Sequence, residues 1–183
     1  MKNFKLFFYT FTLLILFSSC TKDELTNSEK IVGKWKMTDF HGTTEATTSN
    51  SLMSITASSV QTGSNYNSFI DFTEGPNNYT ITGSFNTHVT TTTVTVIGGE
   101  TTTIVQEENF DSDDPADGTW AIEGDQITVT ATNDQGEEES TTATIEELSD
   151  TTLTIKSLIN TNTTVDGTTS TINAEFYQTY EKQ

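Results

Sequence analysis

One cysteine, two histidines and 26 carboxylates are the side chains of this 183-residue chain from which chemistry could be built. Nucleophilic catalysis needs a hydroxyl or thiol beside a base, with a third group that orients the base. The bases on offer are His41 and His88, and neither sits in a recognisable Ser, Cys or Asp constellation. No HExxH or CxxC zinc pattern occurs, and no Gly-rich phosphate loop. The densest set of hard oxygen ligands is Asp111, Asp113, Asp114 and Asp117, the calcium candidate of this chain. Pro115 stands where an EF-hand loop would place a liganding Asp or Asn, so the run reads first as a solvated acidic loop. Carboxylates are so frequent that no glycosidase-like pair stands out. These residues point away from an enzyme, and no cofactor is expected.

The cysteine has its own context. Lys2 and Lys5 precede an apolar run from Leu6 to Phe17, and small Ser18 and Ser19 lead into Cys20. The run is shorter than the roughly 20 apolar residues that a membrane-spanning helix needs. Leu16-Phe17-Ser18-Ser19-Cys20 resembles a bacterial lipoprotein signal. The resemblance implies cleavage after Ser19 and a lipid on the Cys20 thiol, so that the protein is anchored to the membrane rather than spanning it. Lys22-Asp23-Glu24 resembles the export signal of Bacteroidetes lipoproteins, which implies the outer membrane and exposure at the cell surface. The expected organisation is a signal peptide over 1–19, a lipidated cysteine and polar tether over 20–30, and one domain over 31–183.

Charge excludes two classes of partner. All eight basic residues are lysines. Loss of Lys2 and Lys5 with the signal would leave 6 − 26 = −20. Such a surface repels nucleic acid, which is bound by displacing counterions with Lys and Arg. It also rules out docking on anionic lipid through a basic face, so the membrane is reached only through the Cys20 anchor. A lone cysteine cannot form an internal disulfide, and the fold must hold by packing and hydrogen bonds.

The elements that would position these residues read as strands. The chain carries 40 threonines and only two prolines. Threonine is β-branched, favours strands and tolerates a wet face. Ile31, Gly33, Trp35 and Met37 alternate with Lys34 and Lys36 in a first strand. Residues 43–65 read as a long polar loop, with one short helix over 51–58. Ile70 and Phe72 share a face, Tyr79 and Ile81 follow the turn Gly75-Pro76-Asn77-Asn78, and Gly98-Gly99 closes a tight hairpin. Ile127, Val129 and Ala131 alternate, and Ile172, Ala174, Phe176 and Tyr180 share the face of the last strand. Nine or ten evenly spaced strands imply an up-and-down barrel or a sandwich.

Gly33-Lys34-Trp35 resembles the Gly-x-Trp signature of lipocalins, whose Trp plugs the closed end of the barrel. The run from Gly118 to Val129, with Trp120, Ile122 and Gly124-Asp125, resembles a hairpin of the lipocalin-like lipoproteins of Bacteroidetes. Ile145 to Ile155 and Tyr180-Glu181-Lys182 resemble later segments of that group. The resemblance implies an all-β, antiparallel up-and-down lipocalin-like barrel of about 8–10 strands. It also implies a cavity for a small apolar ligand. The residues placed to line a hollow barrel are Trp35, Met37, Ile70, Phe72, Trp120, Ile122 and Phe176, although a strand Trp flanked by alternating polar residues is more often core than ligand contact. With no arginine in the chain to hold a buried carboxylate, the expected ligand is neutral or cationic. The alternative is a filled barrel acting as an interaction module for a protein or a surface glycan. Oligomeric state is not encoded in any of these patterns.

Overall fold

A computed structural model describes residues 25–112, 115–133 and 135–183. Within them one five-residue helix precedes nine antiparallel strands. The helix α1 (Asn27–Ile31) starts with a capping box: the Thr26 hydroxyl accepts from the Glu29 N–H, and the Glu29 carboxylate accepts from the Thr26 N–H. Those bonds hold the Glu29 carboxyl below its ordinary value. The strands are β1 (Gly33–Ser49), β2 (Met53–Thr73), β3 (Asn78–Ile97), β4 (Glu100–Ser112) and β5 (Ala116–Glu123). They continue as β6 (Gln126–Thr132), β7 (Glu138–Leu148), β8 (Thr152–Val165) and β9 (Thr168–Lys182).

Each strand pairs with its chain neighbour except across the break between β4 and β5, and β9 returns to β1. β4 and β5 both pair with β3. Phe85 faces Ser112 and Ile81 faces Ala116, so both sides of the break advance by four residues and keep one register. The pair therefore forms a single stave, and eight staves close into an up-and-down barrel of lipocalin-like architecture. Closure removes free edges around the lower half.

The staves differ in height. β5, β6 and β7 are short, while the other six run on above them as an open sheet in the order β8-β9-β1-β2-β3-β4. This crown carries Thr and Ser on both faces. Cross-strand hydroxyl pairs stitch it, among them Ser59 with Thr91 and Thr47 with Thr56. Its outer strands are bare: β7 follows β8 only as far as the Thr144–Lys156 pair, and every residue from Leu158 to Val165 is exposed. β4 is exposed from Glu100 to Asp111.

Below the crown lies the core. Ile31, Trp35, Phe72 and Leu153 are its most deeply buried large side chains, joined by Trp120, Ile127, Ile145 and Tyr180. The approach of β5 to β6 is especially close at Gly118. A Cβ there would meet the Thr130 carbonyl oxygen at 2.0 Å. Gly118→Ala is expected to cost about 1–3 kcal/mol through backbone displacement, read as a lower urea midpoint. An unchanged midpoint would mean that the strands separate without penalty.

Several sequence expectations are corrected. Residues 43–65 form neither a long loop nor a helix: Thr43–Ser49 completes β1, a short turn follows at 50–52, and Met53 onward is β2, the two strands facing each other through pairs such as Thr43–Val60 and Ala46–Ala57. Hydroxyl side chains on both faces hide the apolar alternation that marks a half-buried strand. Ile31 ends α1 rather than opening β1, and the segment read as tether includes most of that helix. Asp111 and Ser112 end β4, while Ala116 and Asp117 begin β5. The Gly98-Gly99 hairpin is present, with φ of 58° and 89° that suit glycine.

Candidate functional site

A cavity of about 420 Å³ lies inside the closed half of the barrel. That volume is within the range of small-molecule sites. β1 contributes Met37, β2 contributes Ser68, Ile70 and Phe72, and β3 contributes Tyr79, Ile81 and Phe85. Across from them stand Ile127, Val129, Ala143, Ile155, Gln178 and Tyr180. These residues face inward because their strands alternate with period two, and every second side chain meets the barrel axis.

The floor is built by residues around α1. Trp35 is fully buried, and its indole N–H donates to the Ile31 carbonyl at 2.7 Å. Lys182 lies over the Trp35 ring, 4.9 Å from the centroid, and its ammonium donates to the Lys30 carbonyl. Trp120 meets Phe72 edge-on at 5.9 Å and donates to the Thr73 carbonyl at 3.0 Å. Above the cavity, Phe40, Tyr66, Phe85 and Phe176 form an aromatic cluster. The Tyr66 hydroxyl accepts from the Phe40 N–H, and burial raises its pKa.

Among the described residues, no charged side chain lines the cavity. Its polar groups are the Ser68, Thr141 and Ser157 hydroxyls, the Gln178 amide and two tyrosines. The Tyr180 hydroxyl donates to Gln178 Oε1 at 3.3 Å, which leaves the amide N–H₂ as a donor. Burial pushes Tyr180 well above the ordinary phenol range and raises Tyr79, whose shift is reinforced by nearby Asp117. Both phenols therefore stay neutral at physiological pH. The surface presented to a guest is apolar with a few neutral hydrogen-bonding groups.

Of the residues expected to line a cavity, Met37, Ile70 and Phe72 do so. Trp35 and Trp120 lie in the core at the floor, Ile122 packs beside that core, and Phe176 stacks with Phe40 above. Sequence reasoning missed Ser68, Phe85, Gln178 and Tyr180 as lining residues. Tyr180 and Gln178 share parity with Phe176 on β9, and that period was the available signal.

The two histidines lie outside the cavity. His41 Nδ1 is 2.7 Å from the Asp39 carboxylate and its ring stacks on Tyr177, but the side chain is 54% exposed. His88 Nδ1 meets Asn109 Oδ1 at 3.1 Å on the surface. Beside His41, Lys156 and Glu175 pair at 2.8 Å; this holds the Glu175 carboxyl below its ordinary value and the Lys156 ammonium above its own. Among the described residues, no group of three His, Cys, Asp or Glu could hold a metal. Asp111 and Asp117 sit on β4 and β5, while Asp113 and Asp114 lie outside the described residues, as do Cys20, Lys22, Asp23 and Glu24. No described helix is long and apolar enough to cross a membrane. No family model, curated protein or solved structure matches this chain.

Proposed function

We propose that this chain is a lipid-anchored binding protein whose barrel holds a small uncharged, mainly apolar molecule, and that it is not an enzyme. The observation that carries the reading is the cavity of about 420 Å³, whose wall has no charged side chain among the described residues. A buried carboxylate or ammonium guest would lose its hydration without gaining a counter-charge, a cost of several kcal/mol per ion. An apolar guest gains from burial, and Ser68, Ser157 and Gln178 can orient one or two neutral polar groups. The lipoprotein-like signal ending at Cys20, followed by Lys22-Asp23-Glu24, supports attachment to the outer membrane at the cell surface. The Gly33-Lys34-Trp35 opening and the Trp35 floor support kinship with the lipocalin-like lipoproteins of Bacteroidetes.

The test is native mass spectrometry of the protein purified from the cells that make it. A reproducible adduct that is lost on denaturation is expected, with a mass that identifies an uncharged compound. Ala143→Phe, which pushes a ring into the cavity, should abolish the adduct at a stability cost of about 1–3 kcal/mol. Tight, lysine-dependent binding of palmitate would overturn the ligand class. A bare mass, together with no uptake of neutral apolar probes, would overturn the carrier reading.

A further inference from the structure

The crown has two open edges, and they are guarded differently. β4 carries Glu100, Glu107, Glu108 and Asp111, and charge on an edge strand opposes pairing with another chain. The upper half of β8, Ser157-Leu158-Ile159-Asn160-Thr161-Asn162-Thr163-Thr164-Val165, has no charge, no proline and no glycine. Leu158, Ile159 and Val165 are 54%, 48% and 61% exposed there. β7 turns away beyond Thr144, so nothing among the described residues covers this edge. β9 takes the backbone groups of alternate residues along these nine, and every second residue therefore presents an unpaired donor and acceptor at the open edge, beside apolar side chains.

We propose that this edge is a homodimer interface, in which β8 pairs antiparallel with β8 of a second copy and joins two crowns into one twelve-stranded sheet. Charge identifies the occupant. The chain carries −18, so two copies repel through most surfaces and must meet where acids are missing. A basic partner would instead be drawn to the acidic β4 edge. An antiparallel strand pair has two-fold symmetry by construction, and an isologous contact closes without polymerising. To keep outward faces on one side of a continuous sheet, even-numbered residues must oppose even-numbered ones. A register with Asn162 on the two-fold axis meets this condition and sets Ile159 of one copy opposite Val165 of the other.

The test is disulfide trapping of the full chain in host membranes. Asn162→Cys places two thiols across a strand pair, where Cβ atoms stand about 4.5–5.5 Å apart. Oxidation should give a covalent dimer that neither the wild type nor Thr103→Cys on β4 gives. Adding Ile159→Glu to Asn162→Cys should cut the dimer yield about tenfold, because it sets a carboxylate against Val165 of the other copy, where nothing compensates its lost hydration; this equals about 1.4 kcal/mol. Native mass spectrometry of the wild type released from detergent should show dimers that Ile159→Glu shifts to monomers. Monomers alone at about 50 μM, equal trapping through Thr103→Cys, ladders beyond dimer, or indifference to Ile159→Glu would each overturn the proposal.

Discussion

Trp35→Ala should lower stability by about 3–5 kcal/mol, the range for deleting a fully buried tryptophan. Three losses coincide. The ring leaves a void at the barrel floor, where Ile31 and Phe72 are also fully packed. The Ile31 carbonyl loses the 2.7 Å bond from the indole N–H, and an unmet buried acceptor costs about 1–3 kcal/mol. Lys182 loses the aromatic face beneath its ammonium. Trp35→Phe keeps most of the volume but not the donor, so its loss should be about half as large. Urea unfolding with a common slope reads both values. A Trp35→Ala loss below about 1 kcal/mol would mean that α1 is not docked through this ring. Typical domains have only about 5–15 kcal/mol to lose.

Trp120→Ala is the second large effect, also about 3–5 kcal/mol. Its ring is 4% exposed, stands edge-on against Phe72, and donates to the Thr73 carbonyl. This one residue ties β5 to the turn between β2 and β3. Phe72 also lines the cavity, so the variant should weaken guest binding as well as the fold. The order of the effects matters: near-native stability with altered binding would place Trp120 in the pocket wall instead of the core. Because both tryptophans pack in one cluster, the double variant is expected to depart from additivity.

The sequence exposed the lower barrel better than the crown. Around Trp35, Trp120 and Ile127, apolar residues alternate with polar ones, because one face of each strand is buried and the other is wet. In the crown both faces are wet, so a strand such as Met53–Ser64 has no pattern to distinguish it from a polar loop. Parity also slips within strands. An irregularity between Met37 and Asp39 moves the inward face of β1 from odd to even positions, so Phe40 packs inside while His41 points out. β2 slips in the same way between Ser64 and Asn67. A one-residue shift of this kind reverses every later side chain, and composition does not reveal where it falls. The lining residues follow from the same geometry. A strand tryptophan between polar neighbours is more often core than pocket wall, and both indole N–H groups reach backbone carbonyls near the floor.

The position of α1 sets a direction for the whole molecule. The chain enters at the plugged end, beside Trp35, and the hairpin tips at 49–53, 97–100 and 165–168 lie at the far end of the long strands. β1 alone has 17 residues, which at about 3.3 Å each give a stave of roughly 55 Å. From Cys20 to Asn27 the leash is at most about 25 Å long. A lipid on Cys20 would moor the barrel by its base, like a cup standing on the bilayer. Guests would then arrive from the surrounding medium rather than out of the lipid, and the bare β8 rim would be held at a common height on every copy. Diffusion in two dimensions would bring those rims together far more often than the same number of molecules in solution.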